Sequence, residues 1–157
     1  MKKILVAFTI LISSVNFAQQ EISIDLGDAL VMKTLELSYE YYVSEQNAVG
    51  ISALFNLNGE TSDLRYHEER MITPFFRHYF TDNRTFNYFG ELFIGINSGE
   101  KENITYTDGA VGIAIGSKYI SNSGLMISGL AGLGRNMFVD DSYEIVPRVG
   151  LNVGYRF

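Results

Sequence analysis

The sequence contains no cysteine, two histidines and fewer basic than acidic residues: 12 Lys and Arg against 18 Asp and Glu, a formal charge of −6 over 157 residues. Without cysteine there is no disulfide framework and no residue for N-terminal lipid attachment. The fold must then be held by packing or by ladder hydrogen bonds. Two histidines leave little with which to hold a transition metal. Nucleic acid is excluded as a partner, because phosphate binding wants a basic face. Long apolar runs are also missing. Nothing reaches the roughly 20 residues that a membrane-crossing helix needs. A chain of this kind can cross a membrane only as a closed barrel, since helices and barrels alone satisfy every backbone polar group in lipid.

What is present begins with an address. Lys2 and Lys3 precede an apolar run through Ile12, the layout of a secretory signal peptide. The expected cleavage follows Ala18, giving a leader over residues 1–18 and one domain over 19–157. Loss of Lys2 and Lys3 leaves 10 basic against 18 acidic residues, a charge of −8.

The rest alternates with a period of two, the signature of strands with one apolar and one polar face. Eight segments are predicted, at 21–27, 34–43, 47–57, 70–80, 86–97, 106–120, 125–136 and 146–157. In the last, Val149, Leu151, Val153, Tyr155 and Phe157 alternate with Arg148, Gly150, Asn152, Gly154 and Arg156. The third and fourth read the same way, with Val49, Ile51, Ala53 and Phe55, then Ile72, Pro74, Phe76 and Phe80, on the apolar side. Residues 28–33 read as a connection or a continuation of the first strand. Connections at 44–46, 81–85 and 121–124 are short. Those at 58–69 and 98–105 read as long polar loops, and 137–142 as intermediate.

Such alternation also suits a soluble lipocalin-like barrel with apolar residues inward. Composition weighs against that, and a secreted or periplasmic barrel binding an apolar ligand stays as the alternative, with a lipid-modifying outer-membrane barrel enzyme as the third reading. The polar faces are rich in Gly, Ala, Ser and Asn and poor in the Lys and Glu of a wetted surface. Large charged residues among glycines suit a narrow filled bore. The expected lumen set is Glu36, Glu40, Arg77, Glu91, Lys118, Arg148 and Arg156, a structural ion-pair network.

The segments Tyr39-Glu40, Arg77-His78-Tyr79-Phe80 and the closing Gly150-Leu-Asn-Val-Gly-Tyr-Arg-Phe157 resemble those of small eight-stranded bacterial outer-membrane β-barrels of the OmpX and OmpA-barrel type. The resemblance spans residues 19–157. It implies an all-β, antiparallel up-and-down transmembrane barrel, with short periplasmic turns and longer extracellular loops. It also implies an outer-membrane location, contact with outer-membrane lipid and lipopolysaccharide, and a monomer. Tyr155 and Phe157 would form the C-terminal signal read by the barrel-assembly machinery. Tyr41, Tyr79, Phe80, Phe86, Tyr88, Tyr119, Tyr155 and Phe157 fall at one expected rim. Phe55, Tyr66, Tyr106, Phe138 and Tyr143 fall at the other, as two aromatic girdles.

Chemistry is sparse. His67-Glu68-Glu69 reads as a solvated loop, and His78 as an interfacial residue. No His and Ser stand two apart, as in barrel enzymes that modify lipid, and no base stands beside a nucleophile. Glu100, Glu102, Asp108, Asp140 and Asp141 read as loop charge that supports solubility and bridges lipopolysaccharide through divalent ions. No catalytic residue, cofactor or metal site is expected. The function read from the sequence is that of a non-enzymatic barrel whose loops serve surface interaction or envelope integrity.

Overall fold

The computed structural model describes residues 19–27, 29, 34–57, 68–81, 85–101, 104–140 and 142–157. The expected leader, His67 and most of the 28–33 and 58–69 connections lie outside the described residues, as do Tyr66, Glu102 and Asp141. Eight strands follow in order: β1 (Gln20–Asp25), β2 (Thr34–Tyr42), β3 (Asn47–Asn56), β4 (Glu68–Tyr79), β5 (Phe86–Lys101), β6 (Ile104–Ile120), β7 (Leu125–Asn136) and β8 (Ile145–Arg156). Each pairs antiparallel with its sequence neighbours, and β8 returns to β1, so the sheet is a closed up-and-down barrel.

Turn chemistry sets one rim. Gly124 takes a φ of +89°, a conformation that glycine adopts at no steric cost. Its N–H donates to Ser121 O at 3.0 Å, while Ser121 N–H donates to Leu125 O. At the 44–46 turn the Ser44 hydroxyl accepts from Asn47 N–H at 3.1 Å.

The opposite rim departs from expectation at two places. Residues 98–105 are not a long loop. β5 runs through Lys101 and β6 starts at Ile104, with Ser98 registered on Thr107 and Glu100 on Thr105. These residues are polar because the hairpin rises past the apolar part of the wall, not because pairing stops. β1 is shorter than expected, since Leu26 and Gly27 leave the ladder in a helical turn.

Alternation now has a physical sense. Ile72, Phe76, Leu92, Ile94, Ile113, Ile115, Leu133 and Val149 face outward and are 40–72% exposed. The interior is filled by matching large residues to small ones. Three inward phenylalanines each lie on the glycine registered directly opposite: Phe75 on Gly50, Phe93 on Gly112 and Phe89 on Gly116. Leu54, Met71, Phe75, Phe93, Ala110 and Val146 form one buried cluster. Ala48, Tyr79, Phe89, Ala114 and Leu130 form a second.

A Cβ added at Gly112 would stand 2.3 Å from Phe93 Cζ and 2.5 Å from Gly134 Cα. Gly112→Ala is therefore expected to lower the stability of the refolded barrel by about 1–3 kcal/mol, the usual cost of overpacking. Gly129→Ala, whose nearest neighbour would be Gly150 O at 4.0 Å, should stay within about 0.5 kcal/mol of wild type. Urea unfolding followed by circular dichroism measures both. Equal stabilities would remove the large-on-small account of the bore.

Candidate functional site

The inward face of an eight-stranded barrel is narrow enough for side chains from opposite walls to meet. Here the charged residues of β1, β2, β4, β5, β6 and β8 do so, while β7 contributes Asn136, which accepts from Asn97 Nδ2 at 2.7 Å. Among the described residues, eight charges form one string of strictly alternating sign.

The string starts at the rim of short turns. Arg156 Nε donates to Glu21 at 2.7 Å. Glu21 receives Lys118 Nζ from across the bore at 2.5 Å, and Lys118 continues to Glu40 at 3.0 Å. Glu40 accepts from Arg77 Nη1 at 2.5 Å, and Arg77 Nε reaches Glu91 at 2.6 Å. Glu91 then meets Arg148 Nε at 2.5 Å, and Arg148 Nη1 ends the string on Glu36 at 3.2 Å. Four cations and four carboxylates balance.

Burial is extreme. Lys118 is 0% exposed, Glu21 1% and Glu91 2%. An isolated charge in such a place would cost several kcal/mol, and only pairing with further hydrogen bonds makes it tolerable. Those bonds are present. Tyr79 donates to Glu40 and accepts from Lys118, both at 2.5 Å. The Tyr42 hydroxyl accepts from Arg156 Nη2 at 2.7 Å and from Lys118 at 3.3 Å. The Arg77 guanidinium lies between the Phe75 and Phe89 rings, 4.4 and 4.5 Å from their centroids, a cation–π arrangement.

All seven residues expected in the lumen, Glu36, Glu40, Arg77, Glu91, Lys118, Arg148 and Arg156, thus lie in one connected string. Sequence reasoning missed Glu21 and Asp25 on β1. Their parity opposite Ile22 and Ile24 was the available signal. Asp25 accepts from Leu151 N–H at 3.3 Å. Tyr79 and Tyr106 stand at rim depth but face inward, 2% and 4% exposed, so neither belongs to an outer girdle.

Asp108 is also not a loop charge. Its carboxylate accepts N–H groups of Gly109, Phe138 and Val139 at 2.6–3.1 Å and the Ser142 hydroxyl at 2.6 Å, which pins Phe138, Val139 and Ser142. His78 faces outward and shares a 2.9 Å hydrogen bond between Nδ1 and Asn47 Oδ1. Tyr155 and Phe157 point outward, 52% and 60% exposed. Phe157 N–H donates to Gln20 O at 2.9 Å.

Space within the bore is small. A gap of about 10 Å³ lies among Asp25, Glu36, Arg77, Arg148 and Asn152, room for about one water. A wider polar vestibule of 840 Å³ opens at the short-turn rim beside Tyr42, Tyr79, Asn87 and Arg156. The arrangement can hold charges in fixed places.

Arg77→Ala would strip a cation from both Glu40 and Glu91, and is expected to destabilise the refolded barrel by about 3 kcal/mol. Arg135→Ala breaks a pair with Glu144 in which both side chains are about two-thirds exposed, and should cost less than about 1 kcal/mol. The double change Arg77→Met, Glu91→Gln removes one cation and one carboxylate and leaves three of each, and should regain much of the stability that Arg77→Ala loses. Thermal melts of the three proteins test this. An unchanged melt for Arg77→Ala would defeat the interdependence of the string.

No protein-family model and no curated protein matches the chain. Among solved structures, the outer membrane protein Ail of Yersinia pestis is similar over 89% of this chain and 99% of that one, at 17% identity and a TM-score of 0.49. The N-terminal β-barrel domain of Pseudomonas aeruginosa OprF is similar over 89% of this chain and 96% of that one, at 14% identity and a TM-score of 0.61. That second likeness is one of architecture: the chain has the fold of the OprF N-terminal barrel domain.

Proposed function

We propose that the protein is an integral barrel of the bacterial outer membrane, without enzymatic activity. Its filled bore is structural, and the loops at its outer rim serve surface contact or envelope integrity. The observation that carries this reading is the inversion of polarity. The wall turns Val, Leu, Ile and Phe outward on most strands, while Lys118, Glu21 and Glu91 are sealed inside. A lipocalin-like soluble barrel requires the opposite arrangement. An apolar surface of this extent in water would drive association, whereas in lipid it is the favourable side. Seven of the strands are 9–17 residues long, against the 9–11 or so that a tilted strand needs to cross. Closure leaves no unpaired edge for the hydrocarbon to meet.

The two buried clusters and the string of ion pairs fill the cross-section, which argues against a porin-like conduit. Function then falls to what the rim presents. Phe138, whose N–H is held by Asp108, stands 81% exposed. The β5–β6 hairpin stands above the apolar wall.

Refolded protein is expected to migrate on a detergent gel at a different position before and after boiling, and expressed protein to sediment with the outer-membrane fraction. In planar bilayers it should show no discrete conductance steps. Identical migration together with a soluble periplasmic pool would reject the membrane reading. Steady porin-like openings would reject the filled bore.

A further inference from the structure

The outward wall is not uniform. A depression of 910 Å³ crosses it from β3 to β7, and the register explains its shape. Its lower bank is a single row of paired outward residues, Val49, Phe76, Leu92, Ile113 and Leu133. Its upper bank is the next row, Pro74, Ile94, Val111 and Arg135. The row climbs as it goes round. Val49 stands near the start of β3 at the short-turn rim, and Arg135 near the end of β7 at the opposite rim. Four strand spacings of about 4.8 Å make the groove roughly 19 Å long, the scale of one extended acyl chain. It is apolar along its length and carries charge only at its outer end, where Arg135 is paired with Glu144.

A second feature lies in its upper bank. In the β4–β5 ladder Ile72 registers on Ile96 and Phe75 on Phe93, and Thr73 and Pro74 between them have no registered partner on β5. Continuing that register sets Pro74 opposite Ile94. Proline has no N–H, so the ladder offers the Ile94 carbonyl no donor from that position. An unmet backbone acceptor is costly in hydrocarbon. A plain acyl chain cannot meet it, but one carrying a hydroxyl can. Ile94 lies two strand spacings, roughly 10 Å, from Arg135. That is the reach from a headgroup phosphate to a hydroxyl near the head of a chain.

We infer that this groove seats one lipopolysaccharide molecule, by a hydroxylated acyl chain of its lipid A. A lipid A phosphate would sit at Arg135, and the chain hydroxyl would donate to Ile94 O. Among the described contacts Arg135 binds Glu144 through Nη2 alone, and a guanidinium carries five donors. The inference rests on the membrane reading above and names the lipid that the wall selects.

The test is native mass spectrometry of the refolded barrel, titrated separately with rough-type lipopolysaccharide and with phosphatidylglycerol. Boiling-dependent migration of every variant is recorded in parallel. Wild type should retain one lipopolysaccharide at least tenfold more strongly than phosphatidylglycerol. Ile94→Trp, which fills the middle of the groove, should lose retention, and Arg135→Gln should weaken it about tenfold. Pro74→Ala restores the N–H and should narrow the preference between the two lipids. Ile127→Trp, outward on β7 but outside the groove, should behave as wild type. Equal retention of both lipids, or retention indifferent to Ile94→Trp and Arg135→Gln in barrels that still shift on boiling, overturns the site. Absence of that shift in wild type would instead bring down the membrane reading itself.

Discussion

The structure depends on one ladder, the five residue pairs that join β1 to β8. Without it the sheet would be open, with two free edges exposed to pairing with other chains. Its bore would be a wet trough in which no charge is buried. The seam is short because β1 is short, and it is reinforced where the chain allows. Glu21 and Arg156 are partners in the ladder and also joined by an ion pair. Gln20 and Phe157 exchange a further pair of backbone bonds beyond it. The first charge pair of the internal string is therefore also the clasp of the barrel. Closure and the burial of charge are one event.

That coupling bears on why the interior is ionic at all. Buried ion pairs are a weak source of stability, and apolar replacements of similar volume often do as well. What they supply here is an argument about register. Sliding any strand by one residue turns its inward set outward. For β4 such a slip would exchange Arg77 with Phe76, placing a guanidinium on the apolar wall and leaving Glu40 and Glu91 short of a cation. Each member of the string penalises its own strand's slip in this way. Lys118 penalises that of β6 and Arg148 that of β8. The glycines act in the same sense by shape, since Phe93 can lie flat only where Gly112 faces it.

Much of this was legible in the sequence, because one face of each strand meets one medium along most of its length. Glu40, Arg77, Glu91 and Lys118 could be assigned to a common interior from parity alone. Which carboxylate meets which cation could not. Lys118 bonds to Glu21 and Glu40, 97 and 78 residues away, and that pairing follows from the stagger of the whole barrel, which no local pattern carries. Glu21 was overlooked because the first strand is brief and its end is not marked. Tyr79 and Tyr106 read as girdle residues because an aromatic residue at rim depth suits either face, and the Tyr79 phenol finds its partners inside, in Glu40 and Lys118.

The misplaced loop at 98–105 shows where such reading stops. Period two records a difference between the media on the two sides of a sheet, not the presence of a strand. In the outer part of the β5–β6 hairpin, outward Glu100, Thr105 and Thr107 are polar because the wall there has risen past its apolar band. Inward Asn97 and Asp108 are polar because the mouth of the bore is polar too. Both faces are then hydrophilic and the contrast vanishes, although the ladder continues without a break to Lys101 and Ile104. The length of a barrel strand read from its sequence is therefore the height of its apolar band. Whatever strand extends beyond that height is invisible to alternation and is seen only through its hydrogen bonds.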